Sequence, residues 1–210
     1  MKEKAKQFWD WFEEHKQPYL FLSEMNEEEK SALLNNLLDH LHWYCEHLNF
    51  EIGGEAGGKQ ELIITAEGDS SYFQEVDALI STAPKLDDWE FIAFVPPRGD
   101  TFEFGFDDVV FKASDIWFLP LKDLAHPEIV AIKVCTPYYD RLKEFEWLRP
   151  AMYKILENIL GEKSFALDLQ YVDIGELPPL PAEEGLMQIA QLPKYIDWKK
   201  AVHLAMIYLN

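Results

Sequence analysis

The chain has 210 residues, with 38 acidic side chains against 19 basic ones and a formal charge of −19 at pH 7. The mean field of such a molecule repels phosphate polyanions and anionic membrane surfaces, so neither nucleic acid nor a membrane is an expected partner. Two readings of the charge remain: solubility by self-repulsion, or steering toward a basic protein.

Hydrophobic residues make up 48% and aromatics 14% of the chain, far from a disordered composition, and its length suits one domain with a sizeable core. Cys45 and Cys135 fall in an expected helix and an expected strand, without the spacing of a disulfide scaffold or a zinc site. The first fifteen residues lack the apolar core of a signal peptide, and no run of about 18 apolar residues occurs, so a cytoplasmic location is the expectation.

In chain order, residues 2–16 have helical periodicity, with Ala5, Phe8, Trp11, Phe12 and His15 on one broad face. Gln17-Pro18 ends that helix. Asn26 with Glu29 forms a capping box for a second helix, expected to run to about Asn49 with Leu34, Leu37, Leu38, Leu41, Cys45 and Leu48 as its apolar stripe. Residues 61–97 then read strand, turn, helix, turn, strand: β-rich 61–65, helical 70–83 with Phe73, Val76, Leu79 and Ile80 inward, and a strand over 89–95. Pro96-Pro97-Arg98-Gly99-Asp100 is a turn into an alternating strand at 101–106. Strands are expected at 116–121, 128–135 and 167–174. Between the last two lies a helix at 139–160, in which Pro150 kinks the helix or starts a new one and which Gly161 closes. Beyond 176 comes an extended proline-rich connector and a partly helical tail. No internal repeat is visible.

These elements imply an α+β fold: a largely antiparallel sheet of about six or seven strands with helices packed on one face, a two-layer sandwich. The expected organisation is a single domain over 1–210, with N-terminal helices at 2–49, a sheet core at 50–175 and a tail at 176–210.

Three short patterns carry a resemblance: Thr65-Ala66-Glu67-Gly68 after a strand, Ala83-Pro84 followed by Trp89 and Ala93-Phe94, and Leu160-Gly161-Glu162 closing a late helix. In these the chain resembles a family of small acidic bacterial proteins of unknown function. The resemblance implies an α+β domain and carries over no catalytic residue.

Several constellations invite a chemical reading. Residues 53–60, GGEAGGKQ, fall one residue short of a phosphate-binding loop: Gln60 has no hydroxyl for magnesium, Glu55 repels phosphate, and a strand follows where a helix is needed. A hairpin loop is the better reading. Thr65 and Gly68 belong to a strand-to-helix turn whose N–H groups suit a small anion, unless Asp69 or Ser70 caps them. His42, Cys45 and Glu46 have metal-like spacing, but Cys45 sits in the apolar stripe while His40, Trp43 and His47 project from the opposite flank. Trp43, an indole on the polar side of a helix, is either covered by another segment or offered to a partner, and Trp9 and Trp11 pose the same choice with packing favoured. Asp87-Asp88 and Asp107-Asp108 are read as solvated turn residues, Ser114-Asp115 and the isolated His126 and His203 have no triad context, and Arg98-Gly99-Asp100 reads as a tight turn.

The expected function is a non-catalytic, acidic protein-binding module for a basic partner, inhibitor-like or immunity-like, with no cofactor. Its candidate contacts are Trp43, His40, His47, Trp89, Thr65 and Gly68. The alternative is a small-molecule enzyme whose pocket, between sheet and helices, is lined by Trp89, Phe91 or Tyr138.

Overall fold

A computed structural model describes residues 2–54, 57–101, 103–106, 109–122, 126 and 128–208. Asp107-Asp108 and Glu55 of the glycine-rich loop lie outside the described residues. The chain is a mixture of helices and strands that divides into two compact units, Met1–Val95 and Pro96–Asn210. Among the described residues no sheet of the expected six or seven strands is found. The strands are shared among ladders of three, two and four strands.

In the first unit, α1 (Lys2–His15) and α2 (Glu27–Tyr44) precede β1 (Asn49–Gly53), β2 (Gln60–Thr65), α3 (Phe73–Ile80) and β3 (Trp89–Ala93). The cap expected for α2 is present: the Asn26 side chain accepts from the Glu29 N–H at 2.9 Å. The helix ends five residues before its expected limit, because Cys45 turns extended (φ −153°, ψ 119°). That frees Asn49 to open β1, a strand that the helical reading of this stretch concealed. β1 and β2 are antiparallel and joined by the glycine-rich segment, which is therefore a hairpin connection. β2 and β3 run parallel, with α3 as the crossover.

The apolar face of α1 lies on β3. Phe12 meets Trp89 edge-on at 5.0 Å and Phe91 at 5.5 Å, while Trp9 reaches Phe91 at 4.6 Å and donates its indole N–H to the Leu79 carbonyl at 2.9 Å. On the other flank of α1, Trp11 is sandwiched between the His15 ring at 5.1 Å and the His40 ring of α2 at 3.8 Å. Tyr19 is fully buried and donates to the Leu33 carbonyl.

Burial pushes the Tyr19 phenol up from 10.0 to about 12, and burial followed by the Glu75 charge does the same for Tyr44. A raised phenol holds its proton longer when folded, so this contribution to stability is complete below about pH 10 and is lost as pH climbs toward 12. Urea unfolding is accordingly expected to show a lower midpoint at pH 11 than at pH 9, with Tyr44→Phe narrowing the difference. An unchanged midpoint between those two conditions would refute it.

In the second unit, β4 (Glu103–Phe106) and β5 (Val109–Lys112) form a separate ladder. β6 (Trp117–Leu121), β7 (Ala131–Thr136), β8 (Tyr171–Glu176) and the two-residue β9 (Met187–Gln188) form the other, in the order β8-β7-β6-β9. The helix expected over 139–160 is two, α4 (Tyr139–Leu142) and α5 (Leu148–Leu160), with Pro150 in the first turn of α5, where its missing N–H costs nothing. α6 (Glu162–Asp168) follows at once, and α7 (Leu192–Tyr208) closes the unit. Met152, Ile155 and Leu156 of α5 pack into one cluster with Phe111, Phe118, Ile132, Val134 and Ile189. Glu162 is the one buried carboxylate among the described residues.

Gly161 separates α5 from α6 at φ 74°, ψ 158°, a backbone region that essentially only glycine occupies. Gly161→Ala is expected to lower the stability of the second unit by about 1–3 kcal/mol, measured by urea denaturation, and a silent substitution would disprove the strain.

The two units share one wiring. An antiparallel pair (β1-β2, β6-β7) is followed by a helical crossover to a strand parallel with its second member (β3, β8). These two parallel pairs are what the expectation of a largely antiparallel sheet missed. The spacing of strand, helix and strand in 61–97 and again in 131–176 is that of a crossover, which joins parallel strands.

Candidate functional site

In sheets with parallel strands, ligands gather outside the carboxyl ends of the strands, where the turns into helices leave side chains convergent. β2 ends at Thr65, and the turn 66–69 leading toward α3 borders a cleft of about 480 Å³ in the first unit. On one side stand Glu67 and Asp69. Asn49, at the start of β1, lies beside them, and the end of α2 with the residues after it brings His42, Glu46 and His47 to the opposite wall.

The turn is held in an uncommon shape. Thr65 is buried and its hydroxyl oxygen accepts from the Glu67 N–H at 2.8 Å. Glu67 adopts φ 52° and Gly68 φ 82°. A left-handed glutamate costs on the order of 1 kcal/mol and persists only where its surroundings dictate it. Here the carboxylate is fixed as well, since Asn49 Nδ2 donates to Glu67 Oε1 at 3.0 Å. Asp69 caps the following helical turn by accepting from Ser71 N–H at 3.0 Å.

Opposite, the His47 imidazole lies nearly parallel to the Tyr72 ring at 4.0 Å, and its Nε2 is 3.7 Å from Glu46 Oε1. His42 Nε2 sits 3.1 Å from the Leu48 carbonyl, which orients that ring. Partial burial, followed by the charges of Asp69, Cys45, Glu46 and Glu75, raises the Tyr72 phenol above its ordinary value. Three carboxylates line this space, and no lysine or arginine does so among the described residues.

Of the two readings of the turn at Thr65 and Gly68, an anion site or a capped turn, the structure has the capped turn. Glu46, Glu67 and Asp69 repel an anion, and Asp69 already takes the Ser71 N–H as its own. Of the other expected site residues, His47 lines the cleft, and His40 does not: it is stacked on Trp11, with its Nδ1 2.8 Å from the Asn36 carbonyl. Trp43 remains 63% exposed. Trp89, expected to line a pocket, is only 2% exposed and packs against Phe12. Its indole N–H, buried, has no hydrogen-bond partner. The favoured packing of Trp9 and Trp11 is found. Among the described residues no group of three or more His, Cys, Asp or Glu is placed to hold a metal ion, and both cysteines are free thiols.

Asn49, Glu67 and Tyr72 were not singled out by sequence reasoning. Asn49 was assigned to a helix that stops earlier, and Glu67 carries no mark of its left-handed backbone. The available signal was the strand-to-helix turn itself, where Gly68-Asp69 announces a sharp change of direction.

A second concavity, about 640 Å³, lies in the other unit on the first turns of α7, with Met187, Tyr195 and Trp198 presenting apolar surface. Asp87 and Asp88 are exposed ahead of β3, Ser114 donates to its neighbour Asp115 at 3.2 Å, and Gly99 takes φ 80° in the irregular stretch 98–100. Among the described residues no helix is long and apolar enough to cross a membrane. Searches of family models, of curated proteins and of solved structures found no match for this chain.

Proposed function

We propose that the chain is a non-catalytic, acidic binding module whose partner is a basic protein. The observation that carries this reading is where the excess charge sits. Of the described acidic residues, all but Glu162 reach solvent at least in part, so the net −19 is displayed outward and acts at a distance. The lysines in the ion pairs of Lys6 with Asp10, Lys112 with Glu103, Lys143 with Asp140, Lys154 with Glu157 and Lys200 with Asp168 are already counted in that net, so pairing leaves the excess negative charge in place. A field of this kind accelerates encounter with an oppositely charged surface and weakens as salt is added.

The test is affinity capture from lysate of the source cell, identification of the retained protein, and measurement of the association rate between the purified pair at low and high salt. A basic partner whose association slows at least about tenfold between 50 and 500 mM salt is the expected result. No retained protein, or a rate indifferent to salt, would sink the proposal.

The cleft of the first unit supports a second reading, an enzyme acting on a small cationic molecule, since His42, His47 and three carboxylates converge there. It differs from the first in needing turnover. A substrate-consuming activity that disappears in Glu67→Gln and His47→Gln variants would establish it in place of the binding module.

A further inference from the structure

Resting on the binding-module reading, we infer that the cleft of the first unit is the seat for one guanidinium group, an arginine side chain of the basic partner. The inference starts from the cavity and its flat wall. His47 and Tyr72 stack at 4.0 Å with their planes 19° apart, which presents a fixed aromatic surface at the rim of a space of about 480 Å³. A planar cation fits such a surface. The ring quadrupole attracts it, and a guanidinium sheds its water more readily than an ammonium does.

The remaining walls select the same group. Glu67 is set in place by the Asn49 amide and by a left-handed backbone, so one of its oxygens is engaged and its direction is fixed before any ligand arrives. Asp69 and Glu46 flank it. A carboxylate so oriented accepts paired N–H groups from a guanidinium fork, whereas a lysine ammonium offers a point charge and no plane to stack. No basic side chain among the described residues of the lining neutralises the three carboxylates. The one group there that carries positive charge, when protonated, is imidazole: His47 lies against Glu46, and His42 faces the Leu48 carbonyl.

The experiment uses the full chain, labelled with nitrogen-15, titrated at low salt with hexa-arginine and separately with hexa-lysine. Amide shifts are expected to concentrate at residues 42–49 and 66–72, with hexa-arginine half-saturating at a concentration about two- to fivefold below hexa-lysine. The double variant E67Q/D69N is expected to weaken hexa-arginine about tenfold, whereas the equally charged change E13Q/E14Q on the exposed side of α1 weakens it less than about twofold. Tyr72→Leu keeps the charge and most of the bulk, so it is expected to abolish the preference for arginine while leaving hexa-lysine binding unchanged.

Shifts scattered over the whole acidic surface, equal binding of the two peptides, or equal losses in the two double variants would overturn the assignment of the cleft. Those outcomes leave the basic-partner reading standing. That reading falls separately, with capture from lysate yielding no salt-sensitive partner.

Discussion

Phe12→Ala is expected to destabilise the first unit by about 3–5 kcal/mol, the range for truncating a fully buried aromatic. The ring has no exposed surface and meets Phe8, Trp9, Tyr19, Trp89 and Phe91 at centroid distances of 5.0 to 6.4 Å, so it is the hub through which α1 is held to β3. Its removal leaves a cavity that rigid aromatic neighbours cannot collapse to fill. Hydrogen exchange measures the effect locally. Amides of α1, β2 and β3 are expected to lose protection in step, because these elements share one core. Loss confined to α1 would show that the helix is an appendage to the sheet and not part of its core.

Phe118→Ala is the counterpart in the second unit, with an expected cost of similar size, about 3–5 kcal/mol. Phe118, the second residue of β6, has no exposed surface, lies among α5 residues such as Met152 and Ile155, and its ring approaches Tyr195 of α7 at 5.7 Å. The truncation therefore removes contacts to the sheet's own helix and to the closing helix together. Urea denaturation is expected to show the loss as an earlier midpoint, with amides of β6, β7 and α5 exchanging faster in parallel. If α7 alone loosens while α5 keeps its protection, Phe118 is not the centre of that core.

Much of the local structure was legible in the sequence. The periodicity of Ala5, Phe8 and Phe12 located α1, Asn26 with Glu29 located the start of α2, and the 61–97 segment read correctly as strand, helix and strand. These signals are local, depending on spacing and caps within about a dozen residues. Strand partnership is not local. The parallel pairing of β2 with β3 and of β7 with β8 follows from crossover geometry, which was visible as a helix between strands but was outweighed by the alternating pattern at 101–106. Short strands such as β5 and β9 carry too few residues to show a period at all.

The site was less legible than the fold. His47, Thr65 and Gly68 were marked for their chemistry or their turn, and all three lie at or beside the cleft. His40 and Trp89 were marked for the same kinds of reason, and they are stacked or buried instead. Nothing in residue type separates these outcomes. Whether an imidazole faces a cleft or an indole depends on which helix it meets, and that is decided by the crossing of α1 over α2. Glu67 was invisible because an acidic residue in a turn is ordinary until its backbone dihedral and its Asn49 partner are known.

The sandwich of Trp11 between His15 and His40 gives the chain a built-in optical gauge. An indole held face to face with an imidazole from a neighbouring helix emits differently from one left in water, and the pair parts company as soon as the two helices separate by the thickness of a ring. Any event that prises the amino-terminal helix from its neighbour therefore changes the emission of Trp11, one of seven tryptophans in the chain, and the difference between the chain and its Trp11→Phe variant isolates that share.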